Sequence, residues 1–399
     1  MRKFGPGLIV TAAFIGPGTL TTASVAGANF GFALAWALVF SVVTTLILQE
    51  MSARLGLVTR QGLAEALRHS LSSPWLRWPV MLLVVMAIGF GNAAYQTGNI
   101  LGAAVGASAI TGMSQALLAG VVAAFATALL ASGIYRLIEG VLIILVFVMS
   151  AVFIIAMMIE PPDVGALVAG LVPSSLSAAA TLSVVALIGT TVVPYNLFLH
   201  ANAVQQKWDQ SVDLKEALSE ARSDLAVSVV IGGLITLAIM STAATAFFGT
   251  GTEVTGTTMA MQLEPVLGRW AGIFIASGLM AAGLTSAITA PLAAAYAVCG
   301  AFGWRTDMND WPFRLVWLTV MMFGAGFAIA QTRPITAIVV AQAANGILLP
   351  LIAIALLWVM NTVLPGQYRN RVASNTLGIL VVLVALGLGG WRLLALAFG

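Results

Sequence analysis

The 399-residue sequence contains little charge: 8% of its residues are Asp, Glu, Lys or Arg, whereas 60% are hydrophobic. A soluble globular chain is about 25% charged, because its surface must face water. Cys299 is the only cysteine, which excludes an internal disulfide and a thiolate metal cluster. The sequence also lacks a long polar stretch that could form a soluble domain. These deficits predict a protein whose surface faces lipid.

Runs of 18 or more apolar residues recur along the chain, as expected of membrane-spanning helices. We predict an all-α integral membrane protein in which residues 1–399 form a single domain. Its eleven predicted spans cover residues 5–29, 32–56, 78–106, 114–133, 135–159, 178–205, 222–248, 268–301, 312–331, 335–361 and 374–397. Met1-Arg2-Lys3 before the first run imitates a signal peptide, but no clear polar cleavage region follows, which favours a retained helix.

Lysine and arginine are distributed unequally between the loops on the two sides. With the N-terminus in the cytoplasm, all of the 17 Lys and Arg residues except Arg269, Arg333 and Arg392 fall on the cytoplasmic side. Cytoplasmic loops of membrane proteins carry this excess. We therefore expect a multi-pass protein of the cell (inner) membrane with its C-terminus outside. The bias also accounts for the net charge of +3 without a nucleic-acid partner.

Two spans contain proline near their middle. The first span carries Gly16-Pro17-Gly18-Thr19 and the sixth carries Val193-Pro194-Tyr195-Asn196. A mid-helix proline removes a backbone hydrogen bond and clashes with the preceding turn. Unwound backbone at membrane depth is tolerated where it is buried or lines a cavity. Both spans are therefore predicted to be broken.

The two breaks occupy matching places in spans 1–5 and 6–10. An odd number of helices per repeat makes the repeats run in opposite directions, with bounds of about 5–160 and 178–361 and an extra helix at about 374–397. Paired interrupted helices in inverted halves indicate a transporter's substrate site. We expect a secondary transporter that works by alternating access rather than an enzyme, since no nucleophile, phosphate-binding or metalloprotease motif occurs. A channel is the alternative from another class, and saturable, exchangeable uptake would argue against it.

Several segments resemble the NRAMP family (natural resistance-associated macrophage proteins). They are Gly5-Pro6-Gly7, Leu48-Gln49 with residues 53–59 and 63–65, residues 189–200, Gly283-Leu284-Thr285-Ser286, and Gln342 with Leu349-Pro350. The family transports divalent transition metals with protons and has the LeuT-type fold. The resemblance implies that fold here: a five-plus-five inverted repeat with helices 1 and 6 broken, plus an eleventh helix.

The motifs that bind metal in the family differ in this chain. The family's Asp-Pro-Gly-Asn has Gly16 and Thr19 in place of its acid and amide. The family's Met-Pro-His-Asn has Val193 in place of the methionine and Tyr195 in place of the histidine. The resemblance therefore implies a substrate site at Gly16, Thr19, Val193, Tyr195 and Asn196, with a divergent set of ligands, and it assigns no metal ligand.

Polar residues of the third span form a candidate pathway. Gln96 and Asn99 stand where the family has acids on a proton route, and His200 matches a family histidine near the inner end of the sixth span. Tyr95, Gln96 and Asn99 have spacings of one, three and four, from which we expect one inward face. We expect Tyr95, Gln96, Asn99 and His200 to line the pathway, although bonding to the helices themselves is the alternative.

The substrate expected from these residues is a small organic acid or an amino acid. Neither break carries an acidic residue, whereas hard divalent cations take carboxylate oxygens. The half-helices that begin after the breaks offer partial positive charge and free N–H groups, which favour a carboxylate. The alternative is a divalent metal cation that keeps most of its hydration water.

The sequence also suggests coupling ions. Thr285 and Ser286 could form a sodium site with unwound carbonyls of the first span, and His200 could titrate near neutral pH and couple transport to protons. We expect no cofactor beyond such Na⁺ or H⁺. The expected partners are a small solute or ion and the lipid bilayer, with the protein as a monomer.

Overall fold

The computed structural model describes residues 15–132, 135–173, 177–208, 212–331 and 333–398, with the side chains of all except 135–143, 178 and 391–398. The described chain is helical. Its α-helices are α1 Pro17–Phe30, α2 Ala35–Thr59, α3 Leu63–Ser70, α4 Pro74–Thr111, α5 Gln115–Ser132, α6 Tyr135–Ile159, α7 Val164–Ala169, α8 Ala178–Thr191, α9 Pro194–Lys207, α10 Leu214–Phe247, α11 Glu264–Leu267, α12 Ala271–Phe302, α13 Trp311–Ala330, α14 Pro334–Thr362 and α15 Val372–Phe398.

Nine helical segments of the described ranges are long and apolar enough to cross a membrane. They are α2, α4, α5, α8 with α9, α10, α11 with α12, α13, α14 and α15. The other two predicted spans correspond to α6, with a shorter apolar part at Ile144–Ile159, and to α1. Residues 5–14 of the first predicted span lie outside the described residues. Nine of the eleven predicted spans thus coincide with helices of the described ranges that could cross a membrane, and the differences lie mainly at the helix ends.

Local capping explains two differences from the predicted spans. The seventh span was predicted to begin at residue 222, but α10 begins at Leu214, because the Asp213 carboxylate accepts hydrogen bonds from the N–H groups of Lys215 (3.1 Å) and Glu216 (3.3 Å). Residues 63–70 lie between the second and third predicted spans and form α3. There the Glu65 carboxylate accepts the N–H of Gly62 at 3.3 Å. Such caps satisfy backbone donors that hydropathy does not report.

The helices pack in two groups joined by α14. One group contains α1, α2, α8, α9 and α10, and the other contains α4, α5, α12 and α13. The contact between α4 and α12 is the most extensive in the described chain, and it depends on small residues. A Cβ on Gly106 would overlap the carbonyl oxygen of Ala276, and one on Gly283 would lie 2.6 Å from that of Asn99. In lipid, close backbone approach of this kind provides the attraction between helices.

A cluster of charges ties three elements together at the basic-loop end, the end of the bundle where most lysines and arginines lie. The Glu50 carboxylate accepts from Arg54 (3.0 Å) and from Arg222 (2.9 Å), which joins α2 to α10. Arg54 also donates to the carbonyl oxygen of Tyr368 at 2.9 Å and to Asn370 Oδ1 at 2.8 Å. The loop before α15 is therefore held against α2.

Candidate functional site at the two helix breaks

The first predicted break lies at the start of α1, and the part of that span before residue 15 lies outside the described residues. Gly16 precedes the helix in an extended conformation (φ −106°, ψ −174°), and Pro17 is the first helical residue. Proline suits this place because its missing N–H would have no partner in the first turn and its φ angle is already helical. Gly16 accepts the N–H of Leu20 at 3.2 Å. The half-helix thus starts among buried side chains and not at the membrane surface.

The second break divides the sixth span, as predicted. Helix α8 ends at Thr191 and α9 begins at Pro194, with Val192 and Val193 non-helical between them. The N–H of Asn196 donates to the carbonyl oxygen of Val193 at 3.0 Å. Val193, Tyr195 and Asn196 are each 1% exposed. Two of the five predicted substrate-site residues, Tyr195 and Asn196, therefore lie in the first turn of α9.

The two breaks are adjacent in space. Thr19 Oγ1 and Thr190 Oγ1 are hydrogen-bonded at 2.9 Å, which links α1 to the end of α8. The rings of Tyr95 and Tyr195 meet edge to face at a centroid distance of 5.3 Å. A Cβ on Gly16 would lie 3.7 Å from the Tyr95 hydroxyl. The structure thus assembles the predicted site residues, together with Tyr95, around one buried centre, which we call the central site.

Gln342 of α14 also belongs to the central site, although it was not predicted as a site residue. A Cβ on Gly18 would overlap its amide nitrogen, and one on Gly98 would lie 3.4 Å from the same atom. Gln342 is 0% exposed. The available cue was an uncharged amide in the middle of an apolar span, since polar side chains at membrane depth often mark a pathway. It was quoted only as part of the family resemblance.

The central site offers neutral oxygens and nitrogens without hydrogen-bond partners among the described residues. These atoms are the side-chain oxygen and nitrogen of Asn196 and of Gln342, and the Ser286 hydroxyl. The described ranges contain no group of three or more His, Cys, Asp or Glu residues that could hold a metal. Unpaired buried polar atoms are costly, so these groups are available to a polar ligand. The first turns of α1 and α9 add free N–H groups and contain no acid.

The predicted pathway residues of α4 divide between two faces. Tyr95 faces the breaks, whereas Gln96 donates to the carbonyl oxygen of Ala287 at 3.0 Å and contacts Met321. Asn99 donates to Gln96 Oε1 at 3.3 Å. Gln96 is thus directed toward α12 and α13, and the Asn99 side chain bonds to it. Their role in a pathway stays a prediction.

The residues suggested for ion coupling occupy different surroundings. Ser286 lies against the first break, since a Cβ on Gly16 would be 2.8 Å from its hydroxyl oxygen, whereas Thr285 donates to the carbonyl oxygen of Ala281 at 2.8 Å. His200 is 1% exposed, and its Nδ1 lies 2.9 Å from Gln49 Oε1. A sodium site at Thr285 and Ser286 and proton coupling through His200 stay predictions.

Two half-helices that meet at a buried polar centre define a class of protein, the multi-pass transporter with discontinuous helices. Residues 7–395 match the model of the Nramp family, described as natural resistance-associated macrophage protein-like, so the chain belongs to this family. It is similar to the divalent metal cation transporter MntH of Erwinia tasmaniensis (30% identity, covering 98% of this chain and 94% of the relative) and of Aeromonas hydrophila (30%, 99% and 97%).

Solved structures share the fold. The manganese transporter of Eremococcus coleocola, in complex with an aromatic bis-isothiourea substituted compound, superposes with a TM-score of 0.77 at 21% identity, covering 96% of this chain and 84% of that one. Mhp1, a nucleobase-cation-symport-1 family transporter, gives 0.57 at 15% identity, covering 98% and 93%. The predicted LeuT-type architecture is confirmed. The chain is a membrane transporter and not an enzyme, as predicted.

Proposed function

We propose that this protein is a secondary transporter of divalent metal cations that binds the ion with much of its hydration water still in place. The names of its relatives support a divalent cation. The observation that carries the hydrated form is the set of buried, unpartnered amide and hydroxyl groups at the two breaks. Amide and hydroxyl oxygens can accept hydrogen bonds from coordinated water. They cannot replace a full hydration shell without a compensating charge.

A small organic solute, which the residues alone favoured, is the second candidate, and the relatives give it no support. One structural observation is the reason to include organic solutes among the ligands tested. Gly16 and Val193 precede two half-helices whose first turns contain no acid, and such helix ends favour a carboxylate. A divalent cation must approach these ends through its water, whereas a carboxylate would accept their N–H groups directly. The two candidates therefore predict different ligands for the same residues.

The mechanism that we propose is alternating access. The half-helices α1 and α9 would tilt with α2 and α10 against the group containing α4 and α12, and the central site would open to one side at a time. The Lys and Arg bias supports a cytoplasmic N-terminus and an outer C-terminus. We further propose that transport is coupled to Na⁺ through Ser286 or to H⁺ through His200. We also propose that the protein is a monomer.

A thermal-stability screen of the purified protein tests the substrate. Manganese, magnesium, sodium, amino acids and small carboxylates are added separately. A ligand present at about 100 times its dissociation constant stabilises by about 2.7 kcal/mol if it binds only the folded protein. We expect manganese and magnesium each to raise the melting temperature. A shift with a carboxylate and none with either metal would overturn the metal proposal. If a metal stabilises the protein, manganese uptake into proteoliposomes tests the mechanism, and saturable uptake would favour a carrier over a channel.

A further inference from the structure

A small cavity lies beside the central site, on its basic-loop side. It is lined by Asn92 of α4, Asn345 of α14, and Pro194 and Tyr195 at the start of α9, among other residues. Its volume is about 10 Å³, which is about the space that one water molecule needs. Tyr195 lines the cavity and also packs on Tyr95. Tyr195 therefore borders both the cavity and the central site.

The two amides that line the cavity are complementary. Asn92 Nδ2 donates to the carbonyl oxygen of Ile88 at 3.0 Å, and Asn92 Oδ1 has no partner among the described residues. Asn345 Nδ2 likewise has none. Both residues are 2% exposed. A Cβ on Gly91 would lie 3.4 Å from Asn345 Oδ1, so the Asn345 amide reaches α4 next to Asn92. One buried acceptor and one buried donor thus line the same space.

The amides continue the polar faces of the central site by one helical turn. Asn92 lies three residues before Tyr95 on α4, and Asn345 lies three residues after Gln342 on α14. Residues three apart share a helix face. Because α4 and α14 run in opposite directions, both steps lead toward the basic-loop end. Ile88 and Ile352 line the cavity beyond the amides and are at most 2% exposed.

We propose that this cavity marks a second binding station: it has room for one water molecule in the present conformation and widens as α9 begins to tilt, so that Asn92 and Asn345 hold water of the transported ion after it leaves the central site. Asn92 Oδ1 accepts a hydrogen bond from the water and Asn345 Nδ2 donates one to it. Ile88 and Ile352 close the station toward the basic loops until α9 tilts. The proposal rests on the proposed transport of a hydrated cation, but the route that it describes can be tested without knowing the substrate.

Transport measurements test the amides. Asn92→Leu and Asn345→Leu keep a side chain of similar size and remove the hydrogen bonds. In proteoliposomes with manganese as the probe, we expect turnover to fall about tenfold, the effect of one lost hydrogen bond of ordinary strength. The manganese dissociation constant should stay within about twofold, since the ligands of the central site are intact. Thr97→Val is the matched control, because Thr97 of α4 bonds its own helix at Ala93.

Three results would overturn the proposal. Turnover of both leucine variants equal to that of Thr97→Val would show that the amides play no part. Parallel losses of affinity and turnover would place the amides in the central site instead of a separate station. If the leucine variants fail to fold, Asn92→Ser and Asn345→Ser retain a hydroxyl, and the station predicts that they transport manganese better than the corresponding alanine variants. Serine variants no better than alanine would also overturn it.

Thiol accessibility tests the route without a substrate. In a Cys299→Ala background, Ile88→Cys lines the cavity, and a membrane-impermeant maleimide is applied from the basic-loop side. We expect Ile88→Cys to be modified as the transporter opens, and Ala104→Cys, equally buried on α4 toward the other end, to stay unmodified. An unmodified Ile88→Cys overturns the route. A modified Ile88→Cys in a protein that does not take up manganese would reject the proposed substrate and leave the route standing.

Discussion

Introducing a carboxylate at Gly16 is the most direct test of the central site. A Cβ at this position would lie 2.8 Å from Ser286 Oγ. That hydroxyl has no partner among the described residues and can rotate to donate to a new acceptor. Gly16→Asp therefore fits with a small local shift and adds one negative charge to a site without one. The backbone at Gly16 is extended, so a side chain adds no strain there.

The expected magnitude follows from opposing electrostatic contributions. At an effective dielectric constant of about 20, unit charges about 4 Å apart attract by about 4 kcal/mol, and a divalent cation doubles this. Removing part of the ion's own water as it meets the carboxylate costs several kcal/mol. The remainder is about 3 kcal/mol, which corresponds to about a hundredfold lower dissociation constant for manganese. Without metal the buried charge is uncompensated, so the melting temperature of Gly16→Asp should fall below that of the parent.

The assay measures manganese-dependent thermal stability beside Gly16→Asn, which has the same shape and no charge. We expect the melting temperature of Gly16→Asp to recover with manganese to a much greater extent than that of Gly16→Asn. Equal manganese affinity in the two variants would refute the reasoning, because it would show that the Gly16 side of the break does not face the ion.

Three further predictions concern packing, charge and ligand type. A Cβ on Gly189 would overlap the backbone of α14, so Gly189→Ala should lower the free energy of unfolding by about 1–3 kcal/mol. Gly326 has open space around it, so Gly326→Ala should not destabilise the protein. Equal melting temperatures of the two variants would contradict this prediction. Arg54→Leu should destabilise by about 3 kcal/mol, because its side chain is 7% exposed. Arg222→Leu, at 56% exposed, should cost under about 1 kcal/mol, and thermal unfolding of both variants gives the order. In the Gly16→Asp protein, Val193→Met adds a soft thioether ligand. The binding preference for cadmium over magnesium should rise about tenfold relative to Val193→Leu. Competition between the two metals for binding can resolve a change of about tenfold. An unchanged ratio would show that residue 193 does not face the ion.

Hydropathy and proline together predicted most of the fold. Apolar runs are long in a membrane protein because lipid replaces water around the helices, so the spans could be read directly from the sequence. The breaks at Pro17 and Pro194 were readable for a different reason: each proline removes a backbone donor whatever surrounds it. The short helix at 63–70 was missed because its stability depends on a cap and on tertiary contacts, which leave little trace in an apolar pattern.

The site was predicted less completely, because its composition depends on which helix faces meet. Tyr95 and Gln96 are adjacent in sequence, yet one faces Tyr195 and the other faces α12 and α13. A spacing rule for one helix cannot decide which neighbour lies on each side. Gln342 and Asn345 come from a span with no predicted break, and the sequence singled out Gln342 only for its family resemblance. Their part in the site follows from the packing of α14 between the two helix groups.

Fold and substrate are separable in this protein. The contacts that hold the helices together are backbone approaches at small residues such as Gly106, Gly189 and Gly283, and none of them requires a ligand. Such packing is compatible with a TM-score of 0.77 to the manganese transporter of Eremococcus coleocola at only 21% sequence identity. The site side chains can change without loss of the fold. The choice between a hydrated cation and a carboxylate therefore depends on how the neutral groups of the central site satisfy their hydrogen bonds. That is why variants that change charge at constant shape, such as Gly16→Asp beside Gly16→Asn, discriminate better than any comparison of folds.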